Sequence, residues 1–399
     1  MANSNGTKRR KFNETHPWLK FSVDLQRAPF AVWMDLGAIQ SKCEHVAHTL
    51  LPPEVARGLY TMYLAKGAWA TTAIEGNTLS EQQVLERVRT RKTLPPSQEY
   101  QGREVDNIVD ACNEIAERIV KGDECLLTVD GIKQFNARIL KDLPLDEGVI
   151  PGQIPQFEVV VARYKGAPRE DCELLLEKLC AWINEIKPPR EDQRIAFGVI
   201  RAVMAHLYLA WIHPFGDGNG RTARLVEFQI LLGAGVPSIA AHLLSNHYNT
   251  TRAAYYLELQ RTSASGGEVL PFLAYAIQGM RDGLDAQIKQ IRDHLWTVAW
   301  KDYVYEHFRE LTSAAAHRQK EIALALGSRL ARYVPLAKIP SLNVELARAY
   351  AGKTAKTTSR DIDALLKMGF IVKRNRQIRA RRELLQMLLP GRRDEKKRH

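Results

Sequence analysis

Between Ile212 and Asn219 the helical periodicity of this chain is interrupted by a segment that no helix can absorb. His213-Pro214-Phe215 leads into three glycines within five residues, Gly216, Gly218 and Gly220, and an apolar helical pattern resumes at Arg221. Glycine enters left-handed backbone without a Cβ penalty, so such a loop can turn its N–H groups inward as an anion-binding nest. The helix that follows adds unpaired N–H donors and the positive end of a dipole. Arg221 and Arg224 share one side of its first turn, where guanidinium forks suit phosphate oxygens. Asp217 supplies one carboxylate, too little for a protein-only metal cage but sufficient for Mg²⁺ shared with phosphates. His213 has the ordinary pKa that a general base needs. These residues predict a nucleotide-phosphate site with a base at its rim. No Gly-Lys-Ser/Thr follows the glycines, and the loop joins two helices, which argues against the Walker A and dinucleotide-binding classes.

Elsewhere the periodicity is overwhelmingly helical. Helices are expected from Pro52 through Thr71 and over 80–91, 97–120, 128–140, 171–186, 191–212, 221–232, 249–262, 267–293 and 300–325. Two strand regions stand out: Gln156–Tyr164, rich in β-branched residues, and Gly369–Val372 with Arg376–Arg379. A chain of 399 residues with 45% hydrophobic and 26% charged content is neither disordered nor fibrous, and its length suits two or three domains. Five scattered cysteines (Cys43, Cys112, Cys125, Cys172, Cys180) without a Cys-x-x-Cys pair suit reduced thiols, not a disulfide scaffold or zinc site. No 18-residue run is wholly apolar and the basic N-terminus lacks a signal-peptide core, so no membrane role and a cytoplasmic location are expected.

Positive charge is concentrated at the ends. From Ile371 to His399 eleven Lys/Arg face three acids, which accounts for +8 of the net +12; Lys8, Arg9, Arg10 and Lys11 supply the remaining +4. Two short helices (343–350 and 359–368) precede the basic hairpin pattern KRNRQIRARR, which reads as a winged helix-turn-helix that could contact DNA through Lys356, Arg360, Lys373, Arg374, Arg376 and Arg379.

The segment HPFGDGNGRTAR resembles the Fic (Fic/Doc) family signature at every defined position. The resemblance implies a mainly α fold: a Fic helical core with a β-hairpin flap, plus the C-terminal winged helix. Its expected layout is an N-terminal segment with an inhibitory helix (1–96), a catalytic core (97–295), a helical linker (296–329) and a winged-helix domain with a basic tail (330–399). It implies an ATP-dependent protein adenylyltransferase that moves AMP onto a Ser, Thr or Tyr hydroxyl of a target protein. In that chemistry His213 would deprotonate the hydroxyl and Asp217 would hold Mg²⁺. Gly216, Gly218, Asn219 and Gly220 would cradle the α-phosphate, with Arg221 on the β- and Arg224 on the γ-phosphate. Phe215 would anchor the loop. Phe157, Glu158, Val159 and Val160 would form the flap that clamps the target, and Asn249, Tyr255 and Tyr256 would lie beside adenine. Thr71-Thr-Ala-Ile-Glu75-Gly-Asn77 resembles the family's inhibitory motif, which makes Glu75 an inhibitor that pairs with Arg224. His206, two turns before His213, reads as a core histidine.

Two alternatives stay open at this stage: the same site run in reverse to remove AMP, with Glu75 activating water, and a DNA-binding regulator. A homodimer also stays open.

Overall fold

The computed structural model describes residues 10–122, 126–161, 164–329 and 332–385. Lys8, Arg9, Cys125 and the basic tail beyond Leu385 lie outside the described residues. The chain divides into two compact units, Met1–Gln287 and Ile288–His399. The first holds α1 (Phe12–Thr15), α2 (Phe30–Ala47), α3 (Pro53–Ile74), α4 (Glu81–Thr90), α5 (Glu99–Val120), α6 (Val129–Ile139), α7 (Arg169–Glu185) and α8 (Arg194–Ile212). It continues through α9 (Asn219–Gly233), α10 (Leu243–Thr250), α11 (Arg252–Ala264) and the first part of α12 (Leu270–His307). A two-stranded antiparallel hairpin, β1 (Val160–Val161) and β2 (Tyr164–Lys165), precedes α7.

Local sequence explains the element ends. Pro52-Pro53 opens α3, where a missing N–H is harmless. Ser80 and Gln83 close a capping box on α4, and Thr128 accepts from the Gly131 amide at the start of α6. α8 is apolar around its circumference and packs against α9, α7 and α2, as an all-round hydrophobic helix must. The segment Glu191–Ile212 has the length and apolarity to cross a membrane, but 83% of that window is buried inside the protein, which makes it a core helix. α9 in turn packs on α6, α5 and α3. One continuous core joins Phe12, Leu36 and Ile74 to Ile132, Val203 and Phe272, so residues 12–96 are part of the same unit as the segment that follows.

The second unit begins within α12 and adds α13 (Ala314–Gly327), β3 (Val334–Pro335), α14 (Val344–Tyr350), α15 (Ala355–Lys367), β4 (Ile371–Arg374) and β5 (Gln377–Ala380). Its antiparallel sheet has the order β3-β5-β4, with Val334 opposite Ile378 and Ile371 opposite Ala380. Asn375 takes a left-handed conformation in the β4–β5 turn.

Several expectations need correction. Residues 296–329 are not a linker: Trp296, Trp300, Val304 and Phe308 pack with Ile322, Leu326, Leu365 and Phe370 as the core of the second unit. The boundary therefore falls after Gln287, well before residue 330. Helix α12 runs through 293–300 without a break, and its end lies at His307. The span 249–262 is two helices that meet at Thr251. Of Gln156–Tyr164, only Val160, Val161 and Tyr164 enter the described ladder. α2 escaped the sequence pattern because Phe30, Trp33 and Met34 place exposed apolar residues across its polar face. The described cysteines are free and buried, and burial pushes the Cys43, Cys172 and Cys180 thiols up to about 12, which makes them unreactive.

Trp300 is 1% exposed, stacks on Trp296 and donates its indole N–H to the Ala323 carbonyl at 2.9 Å. Trp300→Ala should lower the stability of the second unit by about 3–5 kcal/mol. Urea unfolding followed by tryptophan fluorescence should show the drop, while the helical signal of the first unit persists to higher urea.

Candidate active site

The interruption after α8 is a folded loop. His213 caps α8 in a left-handed conformation and its amide closes the last helical bond onto Leu209. Asn219 then clips the loop shut: its Oδ1 accepts from the Phe215 amide at 2.9 Å and its Nδ2 donates to the Phe215 carbonyl at 2.6 Å. Phe215 is buried in the core. Gly218 sits at φ +76°, which lets the chain turn directly into α9. The first N–H groups of α9 lack intrahelical acceptors and point back towards the loop.

Asn136 supports this loop from α6. Fully buried, it donates to the Asp217 carbonyl (2.9 Å) and to the Thr222 hydroxyl (3.3 Å), and accepts from the Gly152 amide (2.9 Å). A polar residue on the apolar face of Ile132, Phe135 and Ile139 was the signal for it in the sequence.

His213 Nδ1 lies 3.3 Å from the Ala210 carbonyl, which holds the ring proton there and leaves Nε2 able to accept one. Burial lowers the His213 pKa below its ordinary 6.5, outweighing the Ala210 bond and the charges of Glu75 and Asp217. The imidazole is therefore neutral near pH 7. Arg221 is buried, with Nη1 2.7 Å from Glu104 Oε1 and Nη2 3.0 Å from Asp217 Oδ1. Asp217 is half-exposed, and its Oδ2 makes no hydrogen bond among the described residues. No cluster of three or more metal-ligating side chains occurs among the described residues. That donor set fits a hard cation held by one carboxylate and shared with phosphate oxygens.

Arg224 has a side chain only 1% exposed, and its Nη2 lies 2.5 Å from Glu75 Oε1 and 3.1 Å from the Thr71 carbonyl. Glu75 closes α3. Its carboxylate presses against the backbone at the start of α9: a Cβ at Gly220 would fall 2.2 Å from Glu75 Oε1. The carboxylate thus occupies the anion-attracting end of that helix. Burial alone would raise the Glu75 pKa, but Arg224 and then Arg221 bring it below its ordinary 4.5. Arg252 donates to the Ala73 and Ile74 carbonyls, and the Tyr256 hydroxyl donates to Ile74 at 3.3 Å, so α11 grips the end of the helix that carries Glu75.

The structure thus brings together His213, Gly216, Asp217, Gly218, Asn219, Gly220, Arg221, Arg224 and Glu75. The Phe157 ring lies beside Gly216 and is 42% exposed. Glu158 pairs with Lys165 at 3.4 Å, the Val159 carbonyl accepts from the Gly166 amide, and Val160 is exposed on β1. Tyr255 does not line the cradle. Buried and stacked on Tyr248, it shares a 2.8 Å hydrogen bond with His206, whose own place is the core. Asn249 is half-buried on α10 with no hydrogen bond to the motif among the described residues. Glu104, Asn136 and Arg252 are site residues that the sequence reading missed.

Known proteins similar to this chain come from one family. Residues 126–231 match the Fic/DOC family. Protein adenylyltransferase fic-1 of Caenorhabditis elegans is 27% identical over 237 residues, 59% of this chain and 43% of that protein. Protein adenylyltransferase Fic of Nematostella vectensis is 27% identical over 252 residues, 63% of this chain and 53% of that protein. The chain thus spans about half the length of the curated relatives it matches. In fold it is similar to a Fic family protein from Desulfovibrio desulfuricans G20, with a TM-score of 0.54 at 17% identity over 88% of this chain and 96% of that one. It is similar also to residues 134–508 of C. elegans Fic-1, with a TM-score of 0.52 at 24% identity over 66% of this chain and 73% of that one.

Asn136→Ala would leave the Asp217 carbonyl and the Gly152 amide short of a buried partner. The expected loss is about 1–3 kcal/mol. Hydrogen exchange should show faster exchange confined to the 213–220 loop and residues 150–153.

Proposed function

From the match of residues 126–231 to the Fic/DOC family we propose that the protein is an ATP-dependent protein adenylyltransferase held in check by Glu75. The observation that supports it most directly is a neutral imidazole at the rim of a glycine cradle that carries two buried guanidinium groups. In the proposed reaction a target hydroxyl oxygen attacks the α-phosphorus of ATP. His213 Nε2 takes the hydroxyl proton, the bond from the α-phosphorus to the bridging oxygen breaks, and pyrophosphate leaves. The first amides of α9 and the loop face the α-phosphate, where charge develops. Arg221 and Arg224 hold the outer phosphates. Asp217 would hold Mg²⁺ with the phosphate oxygens, and the ion would supply charge neutralisation there. Phe157 and the β1 edge would carry the target segment by strand addition.

Glu75 fills the place that the γ-phosphate needs. While its carboxylate occupies Arg224 and the start of α9, a triphosphate can enter only with its phosphates displaced from in-line geometry.

A second contact is supported by the second unit. Lys356 and Arg360 are exposed on α15, as are Lys373, Arg374 and Arg376 on the β4–β5 hairpin. Lys373 lines a groove of about 440 Å³ with Ser359 and Asp363 of α15, so helix and hairpin share one surface. Arg379, in contrast, is committed to Glu383 at 2.6 Å. This arrangement supports a winged helix that takes a DNA duplex.

For catalysis, Glu75→Gly should raise AMP transfer to protein at least tenfold, and His213→Ala in that background should abolish it while ATP–Mg²⁺ binding persists. The acidic limb of kcat/KM in the Glu75→Gly protein should lie below pH 6.5, because burial lowers the His213 pKa and the variant removes a charge that raised it. Radiolabelled ATP assays from pH 5 to pH 8, run beside removal of AMP from a modified protein, check this. Unchanged transfer in Glu75→Gly would end the inhibitory role, and loss of AMP removal in the same variant would mark the reverse reaction. For DNA, fluorescence anisotropy with a 20-bp duplex should give a log K against log salt slope of about −3 or steeper. Changing Lys373, Arg374 and Arg376 to Ala should flatten it. Absence of binding at about 50 mM salt would end the DNA reading.

A further inference from the structure

Glu104 is a carboxylate in the site that the adenylyl-transfer scheme does not use, and both of its oxygens are engaged. Oε1 accepts from Arg221 Nη1 at 2.7 Å, and Oε2 accepts from Asn77 Nδ2 at 2.9 Å. Asn77 follows Glu75 by two residues and is itself fixed on every side. Its amide donates to the Thr72 carbonyl, its Nδ2 also donates to the Gln101 carbonyl at 3.0 Å, and its Oδ1 accepts from the Leu79 amide at 3.0 Å. One carboxylate on α5 therefore joins the motif arginine to the turn that presents Glu75.

We propose that Glu104 is a positioning residue, which fixes the Arg221 guanidinium for a nucleotide phosphate and ties that arginine through Asn77 to the Glu75 turn. The inference rests on the nucleotide-site reading above. A guanidinium carries five N–H donors. Glu104 and Asp217 take one each, and the buried Nε has no partner among the described residues, so three donors stay free for an anion. Glu104 therefore orients the fork without exhausting it. Its importance would rise were Asp217 to turn to a cation and phosphates, because the Asp217 arm on Arg221 would then be given up. Glu104 is then the remaining carboxylate that sets the plane of Arg221 against the phosphate, and an unanchored fork loses bidentate geometry.

The Asn77 arm has a separate consequence. A shift of the Glu75 turn pulls on the same carboxylate that holds Arg221, so inhibition and phosphate binding are mechanically linked. Removing the Asn77 side chain loosens the turn and leaves Glu104 on Arg221.

The test uses the full chain in the Glu75→Gly background. Titration calorimetry with a non-hydrolysable ATP analogue and Mg²⁺ reads binding, and labelled ATP reads transfer. Glu104→Gln keeps the shape and an acceptor for Asn77 but takes the anion from Arg221. It should weaken nucleotide binding about tenfold, the loss expected for one charge-assisted hydrogen bond. KM for ATP should rise by a similar factor while kcat falls less, and Glu104→Asp should recover part of the affinity. Asn77→Ala should leave nucleotide affinity unchanged in the Glu75→Gly background and raise transfer several-fold when Glu75 is present. Equal nucleotide affinity of Glu75→Gly and its Glu104→Gln double variant would overturn the positioning role alone. Glu75→Gly protein that neither binds the nucleotide nor transfers AMP would overturn the nucleotide-site reading, and this inference with it.

Discussion

The buried guanidinium of Arg224 is the constraint around which the first unit is arranged. A charge that is 1% exposed is tolerable only with an anion and hydrogen-bond acceptors at hand. Its own helix offers neither in front of it, so α3 supplies both, the Glu75 carboxylate and the Thr71 carbonyl. Behind it, one turn further along α9, Glu227 is buried against the Tyr248 hydroxyl at 2.8 Å and lies 3.3 Å from His206 Nδ1. The guanidinium thus sits between a carboxyl group fixed in the core and the Glu75 carboxylate at the end of a helix. Its Nε and Nη1 have no hydrogen-bond partner among the described residues, which leaves those donors for an incoming anion.

The loop depends on a different economy of bonds. Asn219 satisfies both the amide and the carbonyl of Phe215, and Asn136 satisfies the Asp217 carbonyl from outside. With these groups paired by side chains, the amides at the start of α9 are left to face the space over Gly220. Pre-set donors of this kind need no reorganisation when charge develops. The left-handed conformation of His213 belongs to the same construction, because it ends α8 and turns the ring towards the loop in one residue.

Most helices other than α2 were legible because their apolar residues recur at helical spacing, and the motif was legible because its residues are consecutive. What escaped has physical causes. Glu104 stands next to Arg103 and two residues before Asp106 in a charged stretch of sequence, where an acid that meets Arg221 across the fold is indistinguishable from a solvated one. Arg252 reaches the Ile74 carbonyl over 178 residues of sequence, and no local pattern encodes such a bond. Tyr255 and Tyr256 look equivalent in sequence, yet the helix turns one into the core and leaves the other 46% exposed at the end of α3. The linker expectation failed because a charged, amphipathic stretch after residue 296 resembles a surface helix until the second unit supplies the partner for its tryptophans.

The electrostatics of the Glu75 carboxylate constrain how it could be displaced. Its pKa lies below the ordinary 4.5, so it stays ionised across the neutral range and protonation near pH 7 cannot release it. Anion competition alone also faces a formed ion pair within a turn that is bonded on both flanks, by Arg252 and Tyr256 on one side and by Asn77 on the other. Two routes remain: rotation of the Glu75 side chain with the turn in place, or movement of the turn as a body. The first breaks only the Glu75–Arg224 contact. The second also breaks the carbonyl bonds from Arg252 and Tyr256, both of which reach the protein surface. A group that engaged Arg252 or Tyr256 would therefore act on the second route, and an anion drawn to Arg224 would act on the first.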